Sequence, residues 1–174
     1  MITGEDVLWA LGLMQRAGLH FWVDGGWGVD ALLGEQTREH DDLDIALASQ
    51  DFARLVTTLA REGFREAYRD GPFNPVLADP GGRRIDVHLV DTSMETTDER
   101  GRRVYGGEGL PYAVEAFAGT GEIMGVPVPC CTAEFQVWSH TGYPIDENDV
   151  RDVLALGKRF GIALPPEYSD PGRS

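Results

Sequence analysis

FWVDGGWGVDALLGEQTREHDDLDI, residues 21–45, is the stretch from which the rest of the chain can be read. Phe21-Trp22-Val23 is a short apolar strand pattern that runs into Gly25-Gly26, and Trp27 to Leu33 then fits a brief helix that Gly34 closes. Further on, Leu43, Ile45 and Leu47 alternate with Asp42, Asp44 and Ala46. That period of two belongs to a strand with one buried and one open face, so both aspartates are expected to point the same way. A strand, a glycine turn, a helix and a second strand carrying paired carboxylates thus follow in direct succession.

Working outward, Thr3 with Asp6 three residues later is a helix start signal, and Val7, Leu8, Leu11 and Met14 recur at helical spacing until Gly18. After the quoted stretch, a helix is expected from Asp51 to Glu62, ended by Gly63, and a strand from Phe64 to Tyr68. Pro75–Ala78 and Arg83–Val90 flank Asp79-Pro80-Gly81-Gly82 as a hairpin. In its second arm Ile85, Val87 and Leu89 share one face, while Asp86 and His88 share the other. Residues 92–122, rich in Gly, Thr, Glu and Arg, read as irregular and partly mobile, with Arg100, Arg102 and Arg103 standing out. Helices from Thr132 to His140 and from Asn148 to Phe160, the latter ended by Gly161, precede a Pro-rich tail from Pro165. No internal repeat occurs.

The chain has 174 residues, 42% of them hydrophobic and 25% charged, which suits a globular fold and excludes wholesale disorder. Twenty-nine acidic against 15 basic residues leave a formal net charge of −14, which repels a nucleic-acid backbone and draws in divalent metals and amine-bearing small molecules. No nucleic-acid partner is expected. The adjacent Cys130 and Cys131 make a poor staple and read as reduced core residues. The start, Met-Ile-Thr-Gly-Glu-Asp, has no secretory character, and no apolar run approaches the ~20 residues of a membrane span, so no membrane partner and a cytoplasmic location are expected.

Carboxylate pairs hold hard cations such as Mg²⁺, which keep several waters and share their shell with substrate phosphates. Two metals about 3.5–4 Å apart stabilise the attacking and leaving oxygens of an in-line phosphoryl displacement. Gly25 and Gly26 ahead of a helix let backbone N–H groups approach phosphate oxygens at a positive helix terminus. An isolated Asp-x-Asp is usually a solvated strand face and an isolated Gly-Gly usually a turn; their order in the chain raises the chemical reading above these.

With these motifs in place, the sequence resembles the nucleotidyltransferases of the DNA polymerase β superfamily, whose pattern is a hydrophobic strand, a Gly-Gly or Gly-Ser turn, and Asp-x-Asp on the next strand. The block from Phe21 to Ile45 is similar to the lincosamide nucleotidyltransferases and the aminoglycoside 2″-nucleotidyltransferases, and the similarity continues through IDVH at 85–88 and PCCTAEFQVWSHTGYPIDENDVRDV near the C-terminus. The resemblance implies that Asp42 and Asp44 ligate Mg²⁺, two ions in all, with Asp86 as third carboxylate, either shared ligand or general base. It implies that Gly25, Gly26, Trp27 and Arg38 lie at the triphosphate of ATP or another nucleoside triphosphate. The reaction implied is transfer of a nucleoside monophosphate to a hydroxyl of a small antibiotic, expected to be cationic. Gly26 stands where the superfamily commonly has serine, and 92–122 is the least similar part.

The plainer readings sit beside these. Asp86 could be an exposed hairpin residue, Arg38 could pair with Glu39 or Asp30, and Trp27 could pack in the core. His40 and His88 divide between local hydrogen bonding and site roles, Asp152 could anchor its helix, and Tyr143 could cap the core or, with His88 and Glu108, touch substrate. The expected architecture is an α/β (α+β) fold, a small mixed sheet flanked by helices on one side. Residues 1–125 form the nucleotidyltransferase domain, and 126–174 a short helical segment packed on it that is a candidate for pairing two chains. An antitoxin of the same fold that modifies a protein partner, and a non-catalytic nucleotide-binding domain, are the alternatives.

Overall fold

A computed structural model describes residues 1–99 and 101–169; Arg100, singled out in the sequence, lies outside them. The first helix, α1 (Gly4–Arg16), opens with a complete capping box in which the Thr3 hydroxyl and the Asp6 carboxylate satisfy each other's backbone N–H. β1 (Phe21–Asp24) passes directly into α2 (Gly25–Leu33), with Asp24 as N-cap and Gly34 closing the helix in the left-handed conformation. β2 (Leu43–Ala48) leads to α3 (Phe52–Ala60), then β3 (Arg65–Arg69), β4 (Pro75–Ala78) and β5 (Arg84–Val90). The remaining elements are β6 (Glu95–Thr97), β7 (Arg103–Tyr105), β8 (Gly119–Ile123), β9 (Val126–Cys130), α4 (Ala133–Ser139), α5 (Glu147–Phe160) and α6 (Pro166–Ser169).

Seven strands form one mixed sheet in the order β3-β4-β5-β2-β1-β9-β8. β2 runs antiparallel to β1 and parallel to β5, which brings the C-terminal end of β1 beside the N-terminal ends of β2 and β5. On one face Val23, Leu43, Ile45, Leu47, Ile85 and Val87 are fully buried against α1 and α3. The alternation read from the sequence accounts for this face. The other face carries Trp22, Ala46 and Val90 under an aromatic cover of Tyr112, Phe117 and Phe135. Beneath it Ala46, expected on the open face with Asp44, is fully buried. α4 and α5 pack on α2 through Val29, Ala133, Val137, Val153 and Leu156.

The expectation of irregular chain over 92–122 needs correction. β6 and β7 form a small hairpin, Val114–Ala118 is a 3₁₀ turn, and β8 joins the main sheet. Three-residue strands are too short to show a period. The β8–β9 hairpin was hidden for a different reason: its two-residue turn is Met124-Gly125, both at positive φ, where the usual signal is Asn-Gly or Asp-Gly. Pro127 and Pro129 also read as strand breakers, yet β9 tolerates them because β1 pairs with it only at Val23 and Cys130. The boundary drawn at 125/126 lies between the two paired arms of this hairpin, both of them strands of the main sheet. Cys130 and Cys131 are free and buried, as expected.

Candidate active site

Strand register sets three carboxylates in one line. Asp24 lies opposite Asp44, and Asp44 opposite Asp86, so all three emerge on the same face at the strand ends, where the aromatic cover stops. Ligand atoms of Asp44, Asp86 and His88 fall within 4.8 Å of one another. Asp42, just ahead of β2, is not in that group; its carboxylate meets Arg84 Nη2 at 3.2 Å. Asp86 Oδ1 is buried with no hydrogen-bond partner among the described residues, an unsatisfied acceptor beside two other acids.

Two of these acids, Asp44 and Asp86, hold protons more tightly than usual. Burial, reinforced by Asp42, Asp24 and Asp86 against the opposing pull of His88, raises the Asp44 pKa to about 7. Asp86 is raised too, by burial first and then by Asp42 and Asp70, against the pull of His88. Asp24 goes the other way. Burial disfavours its charge, but His88, the Tyr112 hydroxyl and the Gly25 N–H together lower its pKa. The Tyr112 hydroxyl donates to Asp24 Oδ2 and lies 2.6 Å from His88 Nδ1, which is itself 3.2 Å from the carboxylate. For His88 burial opposes the cation, yet Asp24, Asp44 and Asp86 outweigh it and raise its pKa to about 9. At neutral pH the row therefore holds His88 as a cation.

The glycines next to the row are dictated by what presses on them. Gly25 has φ +54, and a Cβ there would collide with the Asp44 carboxylate. At Gly26 a Cβ would come within 2.5 Å of both Arg38 Nη2 and His40 Nδ1. The first turn of α2 thus runs between a carboxylate on one side and a guanidinium on the other. Arg38 donates to His40 Nδ1 at 2.9 Å and to Asp152 Oδ2 at 3.0 Å; His40 Nε2 in turn faces Asp30, which also accepts from the Thr37 N–H and hydroxyl. Neither Glu39 nor Asp30 is the ionic partner of Arg38, as the sequence had suggested; that partner is Asp152.

The chain is similar to known proteins. Residues 6–156 match the profile of the aminoglycoside-2″-adenylyltransferase family. The chain belongs to that family. It is a nucleotidyltransferase. A lincosamide resistance protein of Staphylococcus haemolyticus is 28% identical over 157 residues, spanning 89% of this chain and 94% of the relative. A 2″-aminoglycoside nucleotidyltransferase of Klebsiella pneumoniae is 30% identical over 137 residues, 76% of this chain and 70% of the relative. Among solved structures, the lincomycin-bound lincosamide antibiotic adenylyltransferase LnuA superposes with a TM-score of 0.73 at 26% identity, covering 89% of this chain and 96% of that one. ANT(2″)-Ia in complex with adenylyl-2″-tobramycin, at 19% identity and a TM-score of 0.66, shares the fold over 90% of this chain and 88% of its own.

In this nucleotidyltransferase the residues singled out from sequence divide into two groups. Asp42, Asp44, Asp86, His88, Gly25, Gly26 and Arg38 gather around the N-terminal turn of α2 and the strand ends. The Trp27 side chain does not join them: it is 2% exposed, tilted against His40 in the core, and only its backbone belongs to that turn. Tyr143 donates to Asp149 at the start of α5. Glu108 is placed by its backbone near Ser49, beyond the C-terminal end of β2 and so opposite to the end that carries Asp44. Sequence reasoning assigned no role to Asp24 or Tyr112. The first sits in the quoted segment as the residue before Gly-Gly, where strand alternation from Trp22 puts it on the polar face; nothing local marked the second. No helix among the described residues is long and apolar enough to cross a membrane.

Proposed function

We propose that the enzyme transfers AMP from ATP to a hydroxyl of a small cationic antibiotic of the lincosamide or aminoglycoside class, releasing pyrophosphate. The observation that carries this reading is the line of Asp44 and Asp86 set beside the Gly25-Gly26 start of α2, with the guanidinium of Arg38 on the other side of that turn. The relatives that bear lincosamide and aminoglycoside names support the choice of acceptor.

The residues fit Mg²⁺. Asp44 and Asp86 offer hard oxygen donors at one place, Asp86 Oδ1 is an orphaned acceptor there, and Asp42 stands at the edge. When bound, two such ions would neutralise the triphosphate and polarise the reacting phosphoryl group. The chain's own groups do the rest. Arg38 offers a planar fork to phosphate oxygens, and the N-terminus of α2 adds positive potential. The Asp86 carboxylate, at the same place as Asp44, would serve as shared ligand or as the base that takes the proton of the acceptor hydroxyl. The acceptor oxygen then bonds to the α-phosphorus as the bond to pyrophosphate breaks. His88, held protonated by Asp24, keeps the row from accumulating unbalanced negative charge before substrate arrives. The net charge of −14 favours encounter with cationic acceptors, and use of ATP accords with a cytoplasmic site of action.

The test is incubation of the pure protein with Mg²⁺, each of the four ribonucleoside triphosphates and a panel of lincosamides and aminoglycosides. Pyrophosphate and product mass are followed together. An adenylyl mass gain on a member of either class is expected. Absence of nucleotidyl transfer to every drug in both classes would refute the reading.

A further inference from the structure

Asp152 lies on α5, 114 residues from Arg38 in sequence, and is 2% exposed. α5 already has an apolar seat on α2 and α4 through Val153 and Leu156. A buried ion pair adds little net adhesion, because desolvation offsets most of its attraction. Its effect here is to fix where a long cationic side chain stands. Three restraints converge on Arg38. Asp152 accepts from Nη2, His40 backed by Asp30 accepts from Nη1, and the bare Cα of Gly26 leaves room for the guanidinium against the first turn of α2. Arg38 Nε is buried with no partner among the described residues, and 21% of the side chain remains open.

We propose that Asp152 is a positioning residue for the nucleotide: it holds Arg38 at the α2 N-terminus so that the guanidinium meets the triphosphate already ordered. This rests on the nucleotidyl-transfer reading above. A mobile arginine loses rotamer entropy when it closes on phosphate, and loses more if its fork is misaligned. Ordering by Asp152 removes that cost before binding. The C-terminal helix thereby contributes to nucleotide affinity without touching nucleotide.

The experiment compares Asp152→Asn, Asp152→Glu, Arg38→Gln and the double variant Asp152→Asn/Arg38→Gln. It measures KM for ATP, KM for the acceptor, kcat and Tm, and uses inorganic tripolyphosphate, which carries no base or ribose, as a probe bound directly in calorimetry. Asp152→Asn is expected to weaken ATP and tripolyphosphate about tenfold each while acceptor KM and kcat move less than about threefold. Asp152→Glu, which keeps the charge, should recover most of the affinity, and the double variant should bind no worse than Arg38→Gln alone. Asp152→Glu keeps the charge, so it remains informative if a lone buried charge prevents Asp152→Asn from folding. An unchanged ATP KM, additive losses in the double variant, or a parallel fall of kcat, acceptor affinity and Tm without recovery by glutamate would overturn the proposal. If the wild-type enzyme adenylylates no acceptor, the functional reading fails separately, and the tripolyphosphate titration still decides whether Asp152 orders Arg38.

Discussion

Asp44→Asn should make the metal-free protein more stable at alkaline pH while abolishing turnover. The Asp44 carboxyl has a pKa of about 7 in the fold against an ordinary 3.8, so the folded state binds a proton that the unfolded chain has released between those values. A raised carboxyl pKa makes no difference to stability below about pH 4, erodes it progressively as pH rises, and exerts its whole destabilising effect above about pH 7. At about 1.4 kcal/mol per pH unit the difference corresponds to on the order of 4 kcal/mol. Solvent reaches 25% of the side chain and His88 loses one anionic neighbour on substitution, so a gain of about 1–3 kcal/mol at pH 8 is expected, fading toward zero at pH 4. Urea unfolding in the presence of a chelator at pH 4, 6 and 8 measures it. Addition of Mg²⁺ should reverse the ranking, since only the wild type then gains from binding. A variant no more stable than wild type at pH 8, or one retaining more than about a tenth of wild-type turnover at saturating Mg²⁺, would refute the reasoning.

Gly25→Ala places a Cβ at φ +54 against the Asp44 carboxylate and should cost at least about 1–2 kcal/mol of stability along with activity, while Gly26→Ala, which crowds Arg38 and His40, should raise KM for ATP more than it lowers kcat; urea melts and initial rates separate the two. Tyr112→Phe removes a hydroxyl that donates to the buried Asp24, and a loss of about 1–3 kcal/mol in denaturant melts is expected; an unchanged midpoint would show that His88 and the Gly25 N–H suffice for that carboxylate. Gln136 is fully buried on α4 with neither amide atom partnered among the described residues, so Gln136→Met should leave stability equal or raise it by up to about 1 kcal/mol, and a large loss in Tm would reveal a hidden partner for the amide.

Much of the scaffold could be read locally because its signals are local. Thr3 with Asp6, the left-handed stops at Gly34 and Gly161, and the alternation of β2 and β5 each act within a few residues, and each is found in the structure where its motif stands. The same alternation placed Asp44 and Asp86 on one polar face before any contact between their strands was known. The β8–β9 hairpin escaped because Met124-Gly125 and alternating prolines carry the chemistry of a loop, and only pairing with β1 and cover by α2 make them strand.

Which atoms meet is a matter of long-range closure, and there the sequence alone was silent. Asp24 could be placed on a polar face but not in a line with Asp44 and Asp86, since that line exists only through the antiparallel register of β1 on β2. Tyr112 reaches Asp24 across 88 residues and Asp152 reaches Arg38 across 114. Asp42 and Asp44 look equivalent two residues apart, yet the fold turns one toward Arg84 near solvent and the other into the acidic row, where burial and like charge raise its pKa. Residue types and periods determined the strands, the turns and the presence of a carboxylate cluster beside Gly-Gly. Strand register and the docking of α5 on α2 decided which carboxylate has its pKa raised, which cation is held, and where, because burial and charge separation are properties of the folded chain and of no shorter piece of it.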